Sequence, residues 1–160
     1  MFVKNFQSIF CNSSAALKYM NGSTYNGLLY SANVAINSSG CHYGGNGYAA
    51  FHVIIGAGDT PVTVDDYDLA DASIMASDKM QSQNQSTSSS RNNGTVVNTQ
   101  WYNSSAAPIT VKEIGLAFKN NPNSPYSKSV NILAARKVLD TPVTIQPGET
   151  YVFTYRVSVE

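Results

Sequence analysis

Apolar residues recur at every second position over much of the chain, the period of a strand with one buried face. The alternation is cleanest in the last segment. There Tyr151, Phe153, Tyr155, Val157 and Val159 fall on one face, and Thr154, Arg156 and Ser158 on the other. Residues 28 to 36 place Tyr30, Ala32, Val34 and Ile36 on one side, and residues 48 to 55 do the same with Phe51, Val53 and Ile55. The link between them, residues 37 to 47, is polar and glycine-rich, as a hairpin loop that reaches positive φ requires. The two segments read as a first hairpin.

The second half continues in the same period. Residues 95 to 102 and 107 to 118 are strand-like, as are residues 129 to 139, the short VTIQ and the final segment. Asp-Thr-Pro at 140 to 142 and Pro-Gly-Glu at 147 to 149 read as turns between them. Within 107 to 118 the apolar parity moves from Ile109 and Val111 to Ile114, Leu116 and Phe118 around Glu113 and Gly115. A one-residue change of parity is the mark of a β-bulge. Short strands separated by turn signals predict an all-β fold, a single antiparallel β-sandwich of jelly-roll or Ig-like type over residues 21 to 160. Residues 1 to 20 are expected to form an irregular arm, because the spacing of Phe2, Phe6, Ile9, Phe10, Leu17 and Met20 is broken by Asn-Ser-Ser. Residues 56 to 72 read as a connection. Residues 77 to 94 are almost devoid of apolar side chains and are expected to be a long exposed loop or hairpin tip.

Composition changes this picture mainly through charge. Of 160 residues, 12% are charged, ten basic against ten acidic, whereas soluble domains carry about 25%. No charged residue occurs between Lys18 and Asp59, and only Arg91 between Lys79 and Lys112. A nucleic-acid partner is excluded by the lack of a basic stripe to displace counterions. Disorder is disfavoured, since 42% of the residues are hydrophobic and the net charge is zero. A neutral surface has little self-repulsion, so association with other subunits is expected. No apolar run is long enough to span a membrane, and Gln7, Ser8 and Asn12 interrupt the opening segment, so no signal peptide is expected. The sequons at Asn12, Asn21, Asn37, Asn84, Asn93 and Asn103 reflect abundant Asn and Ser, and no glycan is expected on them. Cys11 and Cys41 make no disulfide framework and are read as free thiols.

Little catalytic chemistry is written in the chain. Its two histidines, His42 and His52, fall in the first hairpin, and no serine sits in a G-x-S-x-G elbow. His52, opposite in parity to Phe51 and Val53, reads as a surface or rim residue. Cys11, Cys41, His42 and His52 lack the close pairing of a metal site. The acidic group Asp65, Asp66, Asp68 and Asp71 reads as a solvated turn, and the GGNG and GAG clusters read as turns rather than phosphate loops. No catalytic residue, metal or cofactor is therefore assigned. Trp101 and Tyr102 are candidates for an interface or sugar-stacking platform, with a core role as the alternative. A carbohydrate-binding sandwich is one functional reading on that basis. Glu113 and Arg136, each embedded in an apolar strand segment, are candidates for an ion pair across the sandwich or for a subunit contact.

Two stretches carry a resemblance. VIIGAGDTPVTVDDYDLAD, residues 53 to 71, has a strand ending in a GAGDTP turn that leads into DYDL. ITVKEIGLAF, with NILAARKVLDTPVTIQPGETYVFTYRVSV after it, presents EIGL, then LAARKVL, then PVTIQPGE before a final alternating strand. In this order the segments resemble small virion proteins of tailed bacteriophages. The resemblance implies a non-enzymatic all-β structural protein, foremost a capsid decoration or auxiliary protein and otherwise a tail, collar or fibre-adaptor subunit. It further implies many copies, contacts with other virion proteins, and a place in the particle assembled in the host cytoplasm. It carries no catalytic residue to transfer.

Overall fold

The computed structural model describes residues 1–2, 17–18, 24–25, 49–90, 94–120 and 130–157. The fold is all-β. Two dipeptide strands, β1 (Leu17–Lys18) and β2 (Thr24–Tyr25), pair antiparallel. The remaining strands are β3 (Ala49–Gly56), β4 (Met80–Ser90), β5 (Gly94–Asn103), β6 (Ile109–Asn120), β7 (Val130–Ile145) and β8 (Thr150–Val157). They form two antiparallel three-stranded sheets, ordered β3-β6-β7 and β4-β5-β8, packed face to face. A single 3-10 turn, Ser73–Met75, stands between β3 and β4. Among the described residues no helix is long and apolar enough to cross a membrane.

The core between the sheets follows the alternation. Phe51, Val53 and Ile55 of β3 meet Val97 and Trp101 of β5 and Phe153 of β8 in one buried cluster, with Tyr155 and Val157 packed against it. β6 contributes Ile109, Val111, Ile114 and Leu116 to the same cluster despite their opposite parities. The register shows how. Val111 pairs with Val143 but Glu113 pairs with Val138, so Leu139, Asp140, Thr141 and Pro142 stand against Lys112 alone. The bulge read from the parity change is therefore present. Its partner side differs from expectation: Asp140-Thr141-Pro142 is a bulge within one strand, not a turn between two. Both flanks keep β6 as their neighbour, and Pro142, which has no N–H to donate, sits in the unpaired excursion. The Pro-Gly-Glu turn is where the chain changes sheets. Glu149 N–H donates to Gln146 O at 3.0 Å, with Pro147 second and Gly148 third at φ 78°, the residue preferences of a type II turn.

Two further expectations are corrected. Most of residues 77 to 94 is strand: β4 pairs with β5 from Met80↔Asn103 to Ser90↔Gly94, with Gln83 and Asn84 bulged opposite Gln100. An edge strand is held by backbone bonds and needs no apolar side chain, so hydrophobicity does not reveal it. His52 is buried rather than at a rim, because the second face of its sheet is itself covered, with Ile54, Leu69, Ala117 and Leu133 forming a cluster there. Residues 28–36, Cys11, Cys41 and His42 lie outside the described residues, as does most of the arm. Of the arm, Phe2 bridges to Ala135 at the edge of β7, and Arg136 N–H donates to Met1 O at 3.0 Å.

Candidate functional site

The connection over residues 57–72 lies on the outer face of the β3-β6-β7 sheet. Leu69 enters the apolar cluster with Ile54, Ala117 and Leu133, while Ala57 N–H donates to Asp71 O at 2.9 Å and closes the neck. A loop of this length with adjoining ends is an Ω-loop. Two charged side chains hold it from below.

Glu113 and Arg136 do meet, at 2.6 Å from Nε to Oε2, but within one sheet rather than across the sandwich. Arg136 stands opposite Gly115, one place along the same face from Glu113, so the two side chains run diagonally between neighbouring strands. The irregularity at Lys112 turns Glu113 outward, toward the loop. Both residues are buried, at 0% and 2% exposure.

Burial of charge is tolerable only when every polar atom finds a partner. Glu113 Oε1 accepts from Gly58 N–H at 3.1 Å and Asp71 N–H at 2.9 Å, and Oε2 accepts from Ala70 N–H at 3.2 Å as well as from Arg136. Arg136 Nη1 donates to Asp66 Oδ2 at 2.8 Å, and Nη2 donates to the carbonyl and hydroxyl oxygens of Thr60 at 3.0 and 3.2 Å. All three guanidinium nitrogens and both carboxylate oxygens are engaged. Asp66 also accepts from Thr63 N–H and Oγ at 3.1 and 2.7 Å. Burial pushes the Asp66 carboxyl up, but the bonds from Arg136 and Thr63 outweigh it and hold it below the usual range. Asp68 goes the other way, raised by partial burial. The acidic group is thus divided: Asp66 is a member of the network, not a solvated turn residue.

The glycines of GAG make room for the carboxylate. A Cβ at Gly56 would lie 2.5 Å from Glu113 Oε1, and one at Gly58 would lie 2.6 Å from the same atom and 2.5 Å from Ala70 Cβ. The network joins Gly56, Gly58, Thr60 and Asp66 of the first resembling stretch to Glu113 and Arg136 of the second.

Trp101 is not a platform. It is 5% exposed within the core, where its Nε1 donates to Val53 O at 2.9 Å. Thr99 Oγ1 accepts from Val53 N–H at 2.8 Å. Both backbone groups of one residue on β3 are thereby satisfied by side chains from the opposing sheet. Tyr102, half-buried, lies on the other side of β5 between Gln81 and Thr150.

Sequence reasoning missed Asn103. It is fully buried, with Nδ2 donating to Ala107 O and Ile145 O at 2.9 Å each and Oδ1 accepting from Ser105 N–H and Oγ at 3.0 and 2.7 Å. Its backbone N–H and carbonyl bond Glu149 O and Gly148 N–H. The amide ties the β5–β6 link to the turn after β7 and is closed to a glycan in the folded chain. The only signal for this was an Asn at a strand end before Ser-Ser, which also fits a turn or a sequon.

Among the described residues no group of three or more His, Cys, Asp or Glu is placed to hold a metal. The site can fix an exposed loop on a rigid sheet. Compared with family models, with curated proteins and with solved structures, the chain matches none of them.

Proposed function

We propose that the chain is a non-enzymatic structural protein of a tailed-phage particle, a decoration or auxiliary subunit docked on the capsid. The observation that supports this reading is the convergence of the two resembling stretches on one network. The residues that carry the resemblance, from GAGDTP to EIGL and LAARKVL, are those that fix the loop at 57–72. A part repeated over a symmetric shell needs loops held in one geometry on a stiff frame. A fully partnered buried charge network serves that need better than it serves turnover.

Mass spectrometry of purified particles from a phage encoding the chain tests the proposal. On the order of hundreds of copies per particle is the expected result, about six or twelve would move the protein to the tail or collar, and absence from the particle overturns the reading.

A further inference from the structure

We infer that β4 is a homotypic docking edge, where the β4 strand of a second copy of this chain adds antiparallel to extend the β4-β5-β8 sheet. The inference does not rest on the virion reading, because the purified chain alone displays it.

Among the described residues β4 is the outer strand of its sheet, and Gln81 to Ser86 are exposed one after another. The direction of its backbone groups follows from β5. Asn103 turns its N–H and carbonyl toward Glu149 and Gly148 on the β8 side, whereas Ser104 N–H donates to Lys79 O on the β4 side. Backbone groups alternate along a strand, so Asn98 and Val96 face β4 and engage Ser86 and Ser88. Gln85, Thr87 and Ser89 therefore turn their N–H and carbonyl groups outward. None of the hydrogen bonds seen among the described residues reaches those groups.

Edge strands are ordinarily protected by charge, proline, short length or bulges. Elsewhere in this molecule such protection is visible. On β3 the N–H and carbonyl of Val53 are taken by Thr99 and Trp101, and β7 carries the Leu139–Pro142 excursion and the contacts from Met1 and Phe2. β4 is long and has no Lys, Arg, Asp, Glu or Pro from Gln81 to Ser90. Its bulge at Gln83 and Asn84 leaves Gln85 to Ser90 in regular register. The occupant follows from the same composition. Two uncharged copies of one strand pair about a two-fold axis with no like charges opposed, and a chain of zero net charge adds no long-range repulsion. A two-fold pairing closes at two subunits.

Sedimentation velocity on the purified full chain up to about 100 μM, a range in which a micromolar interface is populated, reads the association directly. The expected result is a concentration-dependent dimer. Thr87→Pro removes one outward N–H and should shift the dissociation constant upward by at least about tenfold. Ser86→Lys, at an exposed position on the face opposite to Val97, tests the same edge without a backbone change and should act in the same direction, with circular dichroism showing the sheet intact. A monomer at every concentration, a dimer indifferent to both substitutions, or an open-ended series of larger species would each overturn the inference.

Discussion

The indole of Trp101, on the central strand of one sheet, donates to the carbonyl of Val53, on the outer strand of the other. With Thr99 accepting from the same residue's N–H, the two sheets are joined by directional bonds as well as by packing. Trp101→Phe keeps most of the apolar contact but leaves a buried carbonyl unpaired. Thr99→Val leaves a buried N–H unpaired. Each should lower stability by about 1–3 kcal/mol, read as a lower urea midpoint with an unchanged slope. An unchanged midpoint in both would contradict the bonds described.

Glu113 and Arg136 are not equivalent partners. Losing Arg136 leaves Glu113 with three backbone N–H donors, whereas losing Glu113 strands those donors together with part of the guanidinium. Glu113→Leu is therefore expected to cost more than Arg136→Met, with the larger loss on the order of 3–5 kcal/mol. Replacing both at once should recover little, because Gly58, Ala70 and Asp71 still lack an acceptor. Urea unfolding of the two single variants and the double variant measures the order.

Gly56 and Gly58 are needed for space, and Gly148 for backbone conformation. Alanine at either of the first two meets the Glu113 carboxylate and is expected to cost at least about 1–3 kcal/mol. Gly148→Ala meets nothing within 4 Å and should cost only about 1–2 kcal/mol for its positive φ, while Gly148→Asn should cost less. Thermal denaturation of the four variants separates the two causes.

Acid should destabilise the protein through Asp66. Its carboxyl titrates lower in the folded chain than in the unfolded one. Its contribution is thus full above the ordinary Asp value near 3.9 and is lost as the pH falls through the lower, folded one. Asp68, raised by burial, has the opposite sign, and its charge weakens the fold above its folded value. Asp68→Asn should therefore raise stability at neutral pH and leave it unchanged at acid pH. Asp66→Asn should flatten the acid limb of a plot of stability against pH. Denaturation across pH 2–7 provides the measurement, and a gain from Asp66→Asn at neutral pH would contradict the assignment.

What could be read in the sequence was what depends on side-chain period. The alternation of Phe153, Tyr155 and Val157, the parity change around Glu113 and the opposite charges of Glu113 and Arg136 all correspond to features of the fold. β4 escaped because its pairing is made by backbone atoms, which every sequence supplies. The reach of Glu113 to Gly58, Ala70 and Asp71 escaped for a similar reason, since the acceptor is a side chain but the donors carry no residue signature. Trp101 illustrates a different limit. An aromatic residue looks the same in a core as on a platform until the strand's inward face is known.

The loop at 57–72 has a kinetic consequence. Its anchors lie 42 to 76 residues away in the chain, on strands whose own hairpin must close before the carboxylate and guanidinium are in place. Locking the loop therefore belongs after the folding transition state, where stabilising contacts slow unfolding and leave the folding rate almost untouched. Arg136→Met should steepen the loss of native protein over time far more than it delays refolding. A stopped-flow chevron would show this as a raised unfolding limb beside a superimposed folding limb. The buried pair then acts as a latch on the native state's lifetime.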